Sequence, residues 1–287
     1  MKMKKLKEIL QEKSLACGVH NALTAKIAED AKFDALWLSS FELHATNRLP
    51  DADILSYSDY SDAINKISDR VNIPLLVDGD AGGGSSINTI RMIREYEKNG
   101  ASGICIEDNE FPKRCSFYGI ASELENEQKF IGKLKAALDS RKSEDFTVIA
   151  RTESFILNKG IDVALERTLK YVETGIDGLL IHSKIKTSEE IELFSKKYSE
   201  FEKKVPLVCV PTTYNSTPFE KIWNNGYNLI IVANYGIRSV LKNVKDTFDK
   251  IMTNKSMDES LFNISSMNDI YEVIALQDLK QNIEKYG

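Results

Sequence analysis

The chain has 287 residues, 42% of them hydrophobic, and its 38 Lys and Arg against 43 Asp and Glu give a formal charge of −5. That material can fill one large core or two ordinary ones, while the interspersed signs leave no basic stripe and so no nucleic-acid footprint. Cys17, Cys105, Cys115 and Cys209 form no C-x-x-C pair, which argues against a zinc knuckle or redox pair and fits free thiols in a reducing cytoplasm. The basic start MKMKKLKEILQEK turns into a polar helical pattern instead of an apolar signal core, and no run approaches the roughly 20 apolar residues that span a bilayer. The expectation is a soluble cytoplasmic protein with a small-molecule partner, no nucleic acid and no membrane.

Along the chain, short β-branched runs alternate with amphipathic stretches, the order of a parallel α/β fold. The strands are expected at 15–19, 35–40, 73–80, 102–108, 146–152, 177–183, 205–211 and 228–234, and helices among them at 87–100, 161–175 and 188–201. Asn99-Gly100 and Thr174-Gly175 supply two of the helix stops. Eight units in one chain predict a (β/α)8 TIM-type barrel spanning 1–287 as one domain, with 240–287 a helical extension. Polar residues collect at the strand ends: Ser39 and Ser40, Asp78 and Asp80, Glu107 and Asp108, Arg151, His182, and Asn234. In a barrel those ends share one mouth, where active sites lie.

The stretch PLLVDGDAGGG ends an apolar run in two aspartates. A turn, an acid/base pair and a metal site compete there. Asp78 and Asp80, two residues apart, can point to one side of an extended chain, and Glu107 ends the next strand. Three carboxylates without nearby His or Cys favour Mg2+ or Mn2+. Arg151 stands where a core residue is expected, either to neutralise an anionic ligand or to pair with Glu153 or Glu107, roles that can coexist. His182 is either a satisfied core histidine or ligand-facing; His20 and His44 have weaker claims, and His44 reads as a surface residue or one lying behind the site. The segment 107–119, with Lys113, Arg114, Cys115 and Ser116, is either a lid or a solvated basic loop.

With those pieces placed, LLVDGDAGGG, EDNEFPKRCS, VIARTESF, LLIHSK, VPTTY and VANYGIR resemble the phosphoenolpyruvate mutase and isocitrate lyase superfamily over essentially the full chain. SSFELHA, LPDADILS and MNDIYEVIALQDL lie closer to its mutase and phosphonopyruvate hydrolase branch. The resemblance implies that Asp78 contacts Mg2+ while Asp80 and Glu107 hold its waters. It implies further that Ser39, Ser40 and Phe41 cradle the carboxylate end of a pyruvyl group above Trp37, and that Arg151 binds the substrate carboxylate. Asp51 matches the acidic residue near the reacting centre, His182 the phosphoryl-side histidine, and Lys113 and Ser116 the lid groups; Asn234 joins the substrate-binding set. A homotetramer exchanging its last barrel helix between subunits is also implied.

The lid departs from each branch. Mutases read E-D-K with N-S following, hydrolases T-S, and lyases K-R-C-G-H; this chain has Asn109 and then Cys115-Ser116. The first expectation is a mutase acting on a phosphorylated or phosphonate pyruvyl substrate. Phosphonopyruvate hydrolysis is the second, and C–C cleavage of a 2-hydroxy or 2-oxo diacid with Cys115 as acid the third. A barrel that has lost activity and senses a metabolite stands behind them.

Overall fold

The computed structural model describes residues 4–113 and 123–287. Eight parallel strands close a barrel in chain order: β1 Ser14–Val19, β2 Ala35–Leu38, β3 Leu75–Asp78, β4 Gly103–Glu107, β5 Thr147–Thr152, β6 Gly178–Ile181, β7 Leu207–Cys209 and β8 Tyr227–Val232. The helices expected at 87–100, 161–175 and 188–201 form over Ser86–Lys98, Ile161–Glu173 and Glu189–Tyr198. Gly100 and Gly175 follow two of these helices with φ of 102° and 92°, a conformation that costs glycine nothing.

Two apolar layers follow from the period of two along each strand. One face, including Leu36, Leu75, Val77, Ile104, Ile106, Val148 and Ala150, packs toward the helices with Ile93, Phe130, Leu134 and Ala164. The other fills the barrel: Ala35, Trp37, Leu76, Cys105, Ile149, Leu180, Val208, Leu229 and Ile231. Leu6, Ile9 and Leu10, from the short helix Leu6–Ile9 and its cap, belong to this inner cluster. Continuing the inner alternation two residues toward the strand ends turns Trp37 into Ser39, Leu76 into Asp78, Cys105 into Glu107, Ile149 into Arg151 and Leu180 into His182. The pleat that packs the core therefore aims these polar groups at the barrel mouth.

Strand ends are shorter than the apolar runs. The expected strand 35–40 stops at Leu38, and Ser39 caps a helix Ser40–Thr46, its hydroxyl accepting from Glu42 N. The expected strand 73–80 stops at Asp78, and Asp80 has φ +45°. Asp78 and Asp80 thus do not share one extended face: a left-handed turn separates them.

The chain divides into two compact units, Met1–Asn234 and Tyr235–Gly287. The second consists of helices Tyr235–Asn254, Met267–Val273 and Leu276–Tyr286 with a single 3-10 turn, and none of these elements buries a residue. Among the described residues no helix is long and apolar enough to cross a membrane.

Candidate active site

A cavity of about 370 Å³ opens at the C-terminal ends of the strands, bordered by Trp37, Ser39, Ser40, Phe41, Asp51, Asp78, Lys113, Arg151, His182, Thr212 and Asn234 among others. Two cations, both almost fully buried, organise it. Lys113 is 4% exposed, and its ammonium lies 2.5 Å from Asp80 Oδ1 and 3.1 Å from Asp51 Oδ2, and donates to Ser40 Oγ at 3.1 Å. Burial opposes that charge, yet Asp80, Asp51, Glu107 and Asp78 together hold the ammonium well above the ordinary lysine range. Its own N–H donates to Asp53 Oδ2. Asp53, with φ +53°, has its carboxyl raised to about 6 by burial and by Asp80.

Arg151 is the second cation. Strand register places it opposite Glu107, so both side chains face inward. Its Nε donates to Glu153 Oε1 at 2.5 Å, and its Nη2 lies 3.2 Å from Glu107 Oε2, an ion pair without hydrogen-bond alignment. The two glutamates respond in opposite directions. Burial pushes Glu107 up to about 8 despite Arg151. At Glu153 burial is outweighed by Arg151 and His182, and the carboxyl falls to about 2.

His182 is held neutral, its pKa lowered by burial and by the Arg151 charge. Nδ1 lies 2.7 Å from Arg151 Nη2 and 2.8 Å from Glu153 Oε1. One tautomer cannot satisfy both, since Nδ1 either accepts from the guanidinium or donates to the carboxylate.

Burial also raises Asp78, whereas at Asp80 the Lys113 ammonium overcomes burial and lowers the pKa. Ser40 Oγ is 3.1 Å from Asp78 Oδ2 and 3.4 Å from Asp51 Oδ1, and its single proton can serve one of them. Tyr60 OH donates to Asp80 Oδ2 at 2.9 Å. Asn109 donates from Nδ2 to Glu107 Oε1 at 2.9 Å, so the residue that replaces a cation of the mutase pattern supports the carboxylate instead.

The structure thus gathers Trp37, Ser39, Ser40, Phe41, Asp51, Asp78, Lys113, Arg151, His182 and Asn234 around one cavity, with Asp80 and Glu107 bonded to its two cations. Of the two readings of Arg151, the structure shows the ion pairing, with both Glu107 and Glu153, and the residue also lines the cavity. His44 is not at the surface; it is 1% exposed, with Nδ1 2.8 Å from Ser40 O and 3.6 Å from Asp51 Oδ1. Cys115 and Ser116 lie outside the described residues. Sequence reasoning missed Asp53, Tyr60 and Glu42. Glu42 is fully buried, pairs with His20 at 2.9 Å and accepts from Asn234 N at 2.9 Å.

A family model for phosphoenolpyruvate phosphomutase matches residues 4–252. The chain belongs to the phosphoenolpyruvate phosphomutase family. It is 33% identical to the phosphoenolpyruvate phosphomutase of Tetrahymena pyriformis over 99% of this chain and 95% of that one. The crystal structure of phosphoenolpyruvate phosphomutase from Streptomyces platensis subsp. rosaceus superposes with a TM-score of 0.94 at 31% identity, covering 98% of each chain. A phosphonopyruvate hydrolase in complex with oxalate and Mg2+ superposes with a TM-score of 0.89 at 35% identity, covering 98% of this chain and 97% of that one.

The donor set here suits such a cation. Asp78, Asp80 and Glu107 offer only hard oxygens, and Glu107 Oε2 is buried without an aligned hydrogen bond. Among the described residues no three acidic, His or Cys groups form a closed metal cage. A cation that keeps several of its waters does not need one.

Proposed function

We propose that this protein interconverts phosphoenolpyruvate and phosphonopyruvate, moving a phosphoryl group between oxygen and carbon of a pyruvate enolate. The observation that carries this reading is the pairing of two buried cations, Lys113 and Arg151, across one cavity beside Asp78, Asp80 and Glu107. Such a site is built for a small, multiply anionic ligand. Asp78, Asp80 and Glu107 would hold Mg2+, which when bound supplies positive charge beside the oxygens of the 2-oxo acid.

In the direction from phosphonopyruvate, the C–P bond breaks, its electron pair is left on the pyruvate enolate, and the phosphoryl group is captured by the enolate oxygen. Arg151, fixed by Glu153, binds the substrate carboxylate. His182 serves the phosphoryl side best when Nδ1 accepts from Arg151, because Nε2 then carries the proton and can donate to an anionic oxygen. Lys113, ionised by its carboxylate neighbours, adds charge for the group in flight. Trp37 and Phe41 border the cavity and limit water around it. Residues 107–119 are proposed as a lid; residues 114–119 lie outside the described residues, and before them Lys113 is buried against Asp51 and Asp80.

Hydrolysis of phosphonopyruvate to pyruvate and phosphate is the second reading. The likeness to phosphonopyruvate hydrolases, one of them 38% identical over 90% of this chain, favours it. Incubation with phosphonopyruvate and Mg2+, followed by phosphorus NMR, separates the two. Phosphoenolpyruvate is the expected product; free phosphate alone would replace the first reading with the second, and an unchanged spectrum would reject both.

A further inference from the structure

We propose that Lys133 is a positioning residue that holds the Asp78–Asp80 turn in its cation-binding shape. Lys133 lies on the helix Glu127–Ser140, beside the core residues Phe130, Leu134 and Ala137, and is 1% exposed. Its Nζ donates to Ala81 O at 2.8 Å and lies 2.7 Å from Glu125 Oε2. An apolar pair of similar volume is often as stable as a buried ion pair, so stability alone does not account for a lysine there.

Its first partner shows the task. Ala81 follows Asp80, whose φ of +45° is left-handed for a residue with a side chain. Such a backbone persists only where the surroundings over-determine it. Glu107 N donates to Asp80 O at 2.9 Å, Gly82 N to Gly79 O at 2.9 Å, and Lys133 to the next carbonyl along, that of Ala81. The lysine stem also packs on Gly82, where an added Cβ would lie 3.4 Å from Lys133 Cδ.

Its second partner ties that turn to the next strand ends. Glu125 N donates to Asp108 O at 2.9 Å, and Arg167 bonds both the Glu125 carbonyl and the Asp108 carboxylate. Asp108 in turn accepts from Glu153 N at 2.7 Å. Lys133 therefore puts Asp80, Glu107 and the Arg151 partner Glu153 on one frame, though it touches no cavity-lining residue. The inference rests on the reading that Asp78, Asp80 and Glu107 hold a divalent cation.

Direct Mn2+ binding, read by electron paramagnetic resonance, tests it without turnover. Lys133→Met is expected to weaken Mn2+ binding at least about fivefold, and Lys133→Arg, which can still reach a carbonyl and a carboxylate, to recover most of it. If Lys133→Met alone fails to fold, Lys133→Met with Glu125→Leu removes both buried charges. A merely structural role predicts that this double variant regains both melting temperature and Mn2+ affinity; the positioning role predicts the first without the second. Folded Lys133→Met or double variants with Mn2+ affinity within twofold of the parent overturn the proposal. A parent that binds no Mn2+ overturns the cation reading, and this proposal with it.

Discussion

Replacing Glu153 by Gln keeps the size of a fully buried side chain and removes its charge. The structure sets the size of the effect. Glu153 Oε1 accepts from Arg151 Nε and lies 2.8 Å from His182 Nδ1, and its carboxyl is brought from an ordinary 4.5 to about 2. Carried through linkage, that difference is worth about 3 kcal/mol at neutral pH. The sign follows from a depressed folded pKa: the stabilisation is complete above 4.5 and disappears as pH falls through about 2. Urea unfolding of parent and Glu153→Gln between about pH 3 and about pH 7 should therefore give stability curves about 3 kcal/mol apart at the neutral end that converge toward acid. Two curves separated by a constant amount would refute the reasoning, because the loss would then be one of packing and not of charge.

Asp78→Ala should abolish cation-dependent turnover, by at least about 100-fold, while unfolding stays cooperative because Leu75, Leu76 and Val77 fix the strand; retained turnover in excess chelator would remove the metal. Glu107, raised to about 8, must lose a proton to hold a cation, so Mg2+ affinity by calorimetry should rise with pH by up to about tenfold per unit and level off above about 8. With the opposite sign to Glu153, the stability of the cation-free fold due to Glu107 is complete below 4.5 and lost as pH rises through about 8. Cys115→Asn should preserve or raise conversion between phosphoenolpyruvate and phosphonopyruvate, an amide supplying both donor and acceptor; loss of all phosphoryl chemistry in a folded variant would point to an essential thiol. Sedimentation at micromolar concentration should show a homo-oligomer, a tetramer first, and Phe248→Asp on the exposed Leu241, Val244, Phe248 and Met252 stripe should shift it toward monomer by a measurable fall in mass.

The barrel was legible because its strands carry their inner residues at a period of two, and the same period runs into Asp78, Glu107, Arg151 and His182. Those four could be placed at the mouth from local pattern alone. Asp80 could be placed there with them, but the side it faces could not, since a single left-handed residue leaves no trace in an apolar run. Nor could the partners that fix the site from afar. Glu42 meets Asn234 across 192 positions, and Lys133 meets Ala81 across 52. Each of them sits on a helix, where a lone charged residue reads as solvent-facing unless the packing is known. For that reason the sequence leaves His44 between the surface and a place behind the site: it follows Phe41, which is 42% exposed, yet one turn of helix turns its ring inward to Ser40, which settles the second.

The two glutamates around Arg151 show how the site divides its charge. One guanidinium faces both, and both are fully buried, so burial alone would treat them alike. Glu153 receives the aligned Nε–H and the His182 contact, and ends far below the ordinary carboxylate range. Glu107 receives an unaligned Nη2 and the neutral amide of Asn109, and ends far above it. Arg151 interacts with both carboxylates, with Glu107 ahead of Glu153, but only Glu153 has the aligned Nε–H, and at Glu107 burial still outweighs the guanidinium, which leaves Glu107 the carboxylate most in need of a further cation. A lysine at position 109 would have met that need from within the protein. With asparagine there, a cation held by Asp78, Asp80 and Glu107 would compete with the proton on Glu107, and its affinity is expected to depend on pH more than in a relative with the E-D-K pattern.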